Sequence, residues 1–306
     1  MRLHTPVLLQ KTVELLDPAP GKLFIDATCG FGGHTEELIK KGSKVLGIDR
    51  DPEAIEYLRK SLGSRVPAKG WSAFGGKSQR LTLVRGNFAD IGQIAKEAGF
   101  GKVDGILFDL GVSSVQLENP QRGFSFTRDG SLDMRMDPAL GLSAADIVNN
   151  FEKRRLYEIF KNYGQEKFAW AIAGAICRAR ELKPIATTAE LARVIEEVYK
   201  TGGVRKKHKA KKLHPATKAF LALRIVVNSE LLNLEKALPQ TVELLNKKGR
   251  LVVISFHSLE DGIVKRFFKH QRNFKVLTPK PIGPEKTEIL ANPRSRSAKL
   301  RVAEKV

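Results

Sequence analysis

The sequence predicts a doubly wound α/β fold: a mostly parallel sheet of seven strands, with helices between them and a small inserted helical domain. Three observations predict it. Short apolar runs of strand length alternate with helical patterns from residue 23 onward. The first run meets a loop carrying Gly30, Gly32 and Gly33. From residue 143 three helical patterns follow one another with no strand between them, after which the alternation resumes.

Taken in order, residues 23–27 form the first strand, the glycine loop and a helical pattern follow, and residues 45–48 form a second strand ending at Asp49. This is a β-α-β unit. Asp51 and Pro52 open a helix that runs to Leu62, proline being preorganised for a first helical position. Residues 63–80, rich in Gly, Ser and Lys, read as a long loop. A third strand at 81–85, a helix at 89–98 and a fourth strand at 103–108, ending at Asp109, continue the pattern. Residues 109–137 break it, and their length and polarity mark a functional loop.

Helical patterns at 143–163, 165–182 and 188–199 come next. Residues 217–245 form one long helix or two broken at Pro239. A fifth strand at 250–255, a helix at 261–270 and strands at 274–278 and 299–302 close the chain. The expected domains are a sheet domain of residues 1–136 and 213–306 and an inserted helical domain of residues 137–212.

The glycine loop suggests a ligand. Glycines let the backbone turn sharply and let a ligand approach the main chain. The carboxylate of Asp49 at a strand end can accept hydrogen bonds from both hydroxyls of a ribose, so the unit reads as a nucleoside pocket. Asp26, four residues before Gly30, refines this. A carboxylate facing the loop repels a pyrophosphate but suits the ammonium of an amino-acid tail. S-adenosylmethionine is therefore favoured over a nicotinamide cofactor. The plainer reading is a tight turn flanked by solvated aspartates.

Charge points to a polyanion. Fifty-three Lys and Arg against 33 Asp and Glu give a net charge of +20 over 306 residues. Nucleic acid fits better than a membrane surface, because no apolar run reaches spanning length. No signal peptide stands out, so a cytoplasmic protein is expected. Cys29 and Cys177 have no Cys or His neighbours at metal-ligand spacing, which predicts neither disulfide nor metal. Twelve residues, 201–212, hold six Lys or Arg and read either as a solvated surface or as an RNA contact.

Other candidate residues fall at strand ends. Phe88 can lie against an adenine or belong to the core. Asp109 can hold a cofactor ammonium or accept a proton from an amine, with Ser113, Ser114 and Gln116 offering hydrogen bonds to a base edge. His257 can serve as a base or be satisfied by Glu260 or Asp261. No G-x-S-x-G elbow supports a hydrolase.

The blocks HTPVLL (4–9), DATCGFGGH (26–34), GIDRD (47–51), FDLGVSSVQL (108–117), RGFSF (122–126), LDMRMD (132–137), ALRIVVNSEL (222–231), LVVISFHSLED (251–261) and NPRSRSAKLR (292–301) resemble the bacterial 16S ribosomal RNA cytosine-N4 methyltransferases, methyltransferase H of the small subunit. The resemblance is collinear and runs through residues 4–301. It implies a cytoplasmic class I, Rossmann-like enzyme that uses S-adenosylmethionine to methylate the exocyclic amine of a cytidine in the decoding region, within the small subunit. It further implies that Gly32, Gly33 and His34 contact the methionine end of the cofactor, Asp49 its ribose and Phe88 its adenine, and that Asp109 and Gln116 complete the pocket. The connection at 63–80 is longer than the resemblance leads one to expect.

In such a methyltransferase the last two strands would pair antiparallel at one edge. Asp109, or a carbonyl of residues 110–114, would polarise the target amine, and basic residues at 205–212 and 294–301 would hold phosphates. A nicotinamide oxidoreductase and a non-enzymatic RNA-binding assembly factor are the readings from other classes.

Overall fold

The computed structural model describes residues 6–62, 80–201 and 214–306. The long connection expected at 63–80 lies almost wholly outside the described residues, as does the basic run after Thr201. In chain order the elements are α1 (Leu9–Leu16), β1 (Leu23–Asp26), α2 (Gly33–Lys40), β2 (Lys44–Asp49), α3 (Pro52–Leu62), β3 (Leu81–Arg85), α4 (Ile91–Glu97), β4 (Val103–Asp109), α5 (Ser114–Glu118), α6 (Ala144–Asn150), α7 (Lys153–Asn162), α8 (Ala169–Leu182), α9 (Thr188–Thr201), α10 (Thr217–Asn228), α11 (Glu230–Leu244), β5 (Leu245–Ser255), α12 (Ser258–His270), β6 (Phe274–Val276), α13 (Lys286–Ala291) and β7 (Lys299–Lys305). Two compact units result. One holds residues 1–113 and 231–306, and the other holds residues 114–230.

The first unit is a seven-stranded sheet of order β3-β2-β1-β4-β5-β7-β6. Strands β1 to β5 run parallel, and β7 lies antiparallel to both β5 and β6. The fold is doubly wound and Rossmann-like. Adjacent strand residues divide between its two faces, as the two-residue period of a strand requires. Phe24, Val45, Leu107 and Val252 pack with Leu16, Leu38, Ile55 and Leu58 of α1, α2 and α3. Ile25, Leu46, Ile106 and Val253 pack on the opposite face with Ile91, Ile94, Leu234, Leu238, Ile263 and Phe268 of α4, α11 and α12. Burial on both faces is why these strands are unbroken apolar runs in the sequence.

The second unit is helical, and within it α7 packs against α8 and α10, and α8 against α9. Its boundaries fall at 114 and 230, so the loop after β4 and helix α10 belong to it. That loop is built from α5, a single 3₁₀ turn at Pro120–Arg122 and a bridge between Ser131 and Thr187. The single helical pattern at 143–163 is two helices. Ser143 and Asp146 cap α6 reciprocally, and Phe151 then turns to extended backbone before α7. Arg180 donates to the carbonyls of Val148 and Phe151 at 2.8 and 2.7 Å, satisfying the end of α6.

Of the one long helix or two broken at Pro239, the chain forms two, but the break is not at the proline. Pro239 sits inside α11, while α10 ends where Ser229 takes a left-handed φ of 50°. The deciding neighbour is Asn228, whose side chain donates to Met134 O and Arg224 O and accepts from Met136 N. A buried amide fixed by three backbone partners ties the helix end to residues 134–136. Arg224 forms a two-pronged ion pair with Glu230, both bonds 2.8 Å, across the same turn.

Candidate active site

The parallel strands leave a crevice at their carboxyl ends where the order reverses, between β1 and β4. Asp26 ends β1, Asp49 ends the neighbouring β2, and Asp109 ends β4. The loop after β1 is fastened to all three. Gly30 N donates to Asp49 Oδ2 at 2.8 Å, and Thr28 N approaches Asp26 Oδ1 at 3.3 Å. Thr28 Oγ1 accepts from Asp109 N at 2.7 Å.

Two of the glycines have identifiable reasons. Gly32 has φ 88°, a conformation that costs other residues, and a Cβ there would strike Leu58 of α3. Gly33 opens α2, and a Cβ on it would strike the ring of Pro6. Gly33 is therefore small because the N-terminal segment lies directly on it. Val7 O of that segment lies 3.2 Å from Nε2 of His34, and the other ring nitrogen, Nδ1, is 3.5 Å from Asp109 Oδ2. His34 thus links the N-terminal segment to the end of β4.

Electrostatics sets this crevice apart. Burial pushes the Asp26 carboxyl up to about 6, against the hydrogen bonds from Thr35 and Thr28, and the charge of Asp49 adds to the rise. Asp49 is raised by burial despite the N–H groups of Asp51 and Gly30 that donate to it. Asp109 is raised well above the usual carboxylate range by burial and then by the charges of Asp26 and Glu260. Its Oδ1 is buried without a hydrogen-bond partner. A buried acceptor left unsatisfied costs about 1–3 kcal/mol, which an incoming N–H donor would recover.

Three acids driven toward their neutral forms share one need. A cationic ligand would return them to the ionised state and offset their mutual repulsion. S-adenosylmethionine carries a sulfonium and an ammonium, so the donor set fits it. Each Asp49 oxygen accepts one backbone N–H, from Gly30 or Asp51, and keeps a lone pair for a ribose hydroxyl.

The remaining expected residues lie in several places. Phe88 is buried in the sheet core, its ring edge-on to Phe108 at 5.5 Å. Ser113 is the last residue of the first stretch of the sheet unit, while Ser114 and the buried Gln116 lie in α5 of the helical unit. His257 caps α12 together with Glu260: its Nδ1 faces Glu260 N at 3.5 Å, and Glu260 Oε2 accepts from Phe256 N at 2.8 Å. The ring thus caps the helix through Nδ1, while its buried Nε2 lies 3.2 Å from Glu260 Oε1 without a hydrogen bond. Arg301, expected at a phosphate, is instead buried and bound to Asp261 at 2.6 Å, with Lys299 on the same carboxylate at 3.2 Å. Arg294 and Arg296 of that stretch are exposed.

Thr28 and Thr35 were not among the expected residues. Thr35 Oγ1 donates to Asp26 Oδ2 at 2.7 Å and is fully buried. Thr28 could have been found as the second residue after a strand-end aspartate, where a side-chain turn forms. Thr35 had no such local signal.

The sequence profile of the MraW methylase family matches residues 1–306. The chain belongs to the MraW methylase family. A ribosomal RNA small subunit methyltransferase H from Thermomicrobium roseum is 45% identical to this methylase over 99% of the chain and 94% of the relative. Proteins of the same name from Desulfotalea psychrophila and Carboxydothermus hydrogenoformans are 45% and 43% identical, covering 100% and 99% of this chain and 99% and 98% of their own. The crevice with its three aspartates therefore lies in a methylase, for which a cationic methyl donor is the natural ligand.

Proposed function

We propose that this MraW methylase transfers a methyl group from S-adenosylmethionine to the exocyclic N4 amine of a cytidine in the decoding region of 16S ribosomal RNA. The observation that carries the reading is the buried, unpartnered Oδ1 of Asp109, set beside His34 and near Asp26 at the switch point of the sheet. The net charge of +20 suits a polyanionic substrate. No helix among the described residues is long and apolar enough to cross a membrane. The substrate is the RNA within the small subunit, and the enzyme works in the cytoplasm.

The cofactor supplies an electrophilic methyl. The chain's residues do the rest by holding and orienting. Gly30, Gly32 and Gly33 form the loop at the methionine end, which Asp26 and His34 face, Asp49 takes the ribose hydroxyls, and Phe88 borders the adenine. The amine of cytosine is a weak nucleophile because its lone pair is delocalised into the ring. An acceptor on its N–H restores electron density at nitrogen, and Asp109 Oδ1 or a carbonyl of residues 110–114 provides it; the proton leaves after methyl transfer, to Asp109 or to solvent. Ser113, Ser114 and Gln116 bind the base edge. Positioning of this kind supplies most of the acceleration, and the base has to leave any stack to reach the crevice. The helical unit, which includes residues 137–201, recognises the RNA.

Incubation of the protein with labelled S-adenosylmethionine and unmodified small subunits, followed by mass mapping of the nucleosides, should give N4-methylcytidine at one position. Label on another base, or none, would refute the assignment.

A further inference from the structure

We infer that the α7–α8 face of the helical unit holds one nucleotide of the RNA substrate, its phosphate between Lys153 and Arg178 and its base on Trp170. This rests on the reading of the chain as an RNA methyltransferase and adds a binding surface to it.

Two cations converge on this face. A Cβ built on Gly174 would lie 3.5 Å from Lys153 Nζ and 3.4 Å from Arg178 Nη1. The two side chains thus flank the one residue of α8 that has no side chain. No salt bridge to either is present among the described residues. Like charges on the same side of one helix, with neither in a salt bridge, repel each other, and an anion between them removes that cost. Beside them Trp170 is 53% exposed, the largest exposed aromatic surface among the described residues. Its ring is held in place: Lys153 Nζ lies 4.1 Å from the ring centroid, and Tyr157 meets it edge-on at 5.3 Å. Lys161, one turn further along α7, places its ammonium 5.2 Å from the Tyr157 ring.

The arrangement alternates positive charge with aromatic rings, the pattern with which proteins take up single-stranded nucleic acid. Charge follows the backbone, and a base stacks on the open aromatic ring. An apolar protein partner would want Trp170 without the cations. An acidic peptide would want the cations without the exposed indole. A nucleotide uses both.

Trp170 offers a direct readout, because the only other tryptophan is Trp71. In a W71F chain, a single-stranded oligoribonucleotide of the substrate sequence should quench the remaining tryptophan fluorescence. K153Q/R178Q should abolish the quench at matched concentration, whereas K153R/R178K should retain it. W170A and K153Q/R178Q should each raise the KM for RNA about tenfold or more while kcat and the affinity for S-adenosylmethionine stay unchanged, and W170F should recover most of the loss. The slope of log affinity against log salt should fall by about 0.7 in K153Q/R178Q, the value for one phosphate on a single strand.

No quench, or an unaltered KM in both variants, overturns the inference. So does a loss confined to assembled subunits with naked-RNA binding intact, since that assigns the face to a protein. These outcomes are separable from failure of the methyltransferase reading, in which the wild-type chain itself would transfer no methyl group to RNA.

Discussion

At the scale of single residues, the proposed chemistry rests on three carboxylates and the groups that hold them. Removing Asp109 by D109A deletes both the open Oδ1 and the partner of His34. It should weaken S-adenosylmethionine binding by about tenfold and lower turnover by two orders of magnitude or more, the usual scale for a proton-handling group. Calorimetry and single-turnover rates on the same variant check both, and normal binding with normal turnover would contradict the role. Asp26 predicts a pH dependence. Its folded carboxyl is raised to about 6 from the ordinary 3.8, so the ligand-free chain holds the proton more tightly than the unfolded chain does. Its contribution to stability is full below about pH 4 and is lost as the pH rises through about 6. A cationic ligand prefers the ionised form. The affinity for S-adenosylmethionine should therefore fall about tenfold between pH 7.5 and pH 5, measured by titration calorimetry. Asp26 and Asp49 could be picked out in the sequence because each closes a short apolar run beside the glycine loop. The pairing of Thr35 with Asp26 and of His34 with Asp109 could not, since helix α2 brings those groups together only once it is packed.

At the scale of elements, the N-terminal segment and α2 act as one piece. Pro6 lies on Gly33, and Val7 O faces the ring of His34. G33A would push the two apart, with an expected loss of about 1–3 kcal/mol from overpacking and a weaker grip on the cofactor. A thermal melt with and without S-adenosylmethionine reads both effects. Next to the sheet edge, α12 is tied to β7 by Asp261 with Arg301 and Lys299. R301Q leaves a largely buried carboxylate with only the half-exposed Lys299, so stability should drop by on the order of 3 kcal/mol. The strands were readable from composition because they are apolar on both faces, and antiparallel pairing of the last two was expected and is observed. The helix break was not readable. Proline marks a probable boundary in a sequence, yet Pro239 stays within α11. The chain turns at Ser229, where Asn228 finds three backbone partners, two of them far away in the sequence.

At the scale of the whole molecule, the charge of +20 is a statement about RNA. Affinity for small-subunit RNA should fall steeply with salt, and R294Q/R296Q should reduce the log-log slope by about 0.7 for each phosphate those arginines hold. K299Q should leave that slope unchanged, because Lys299 already serves Asp261. Filter binding across a salt series distinguishes the two. An unchanged slope in R294Q/R296Q would remove the exposed arginines from the interface.

Hydrophobic periodicity determined the doubly wound sheet, and the glycine loop with its flanking aspartates and the excess of Lys and Arg pointed to the proposed nucleoside crevice and a polyanionic partner. Each depends on residues close in the chain or on a simple sum. The structure alone decided that Asp109 keeps an open oxygen, that His257 caps a helix and that Arg301 is spent on Asp261. These outcomes turn on groups distant in sequence and on the burial they share. A carboxylate's pKa and an arginine's availability are set by what folding places beside them.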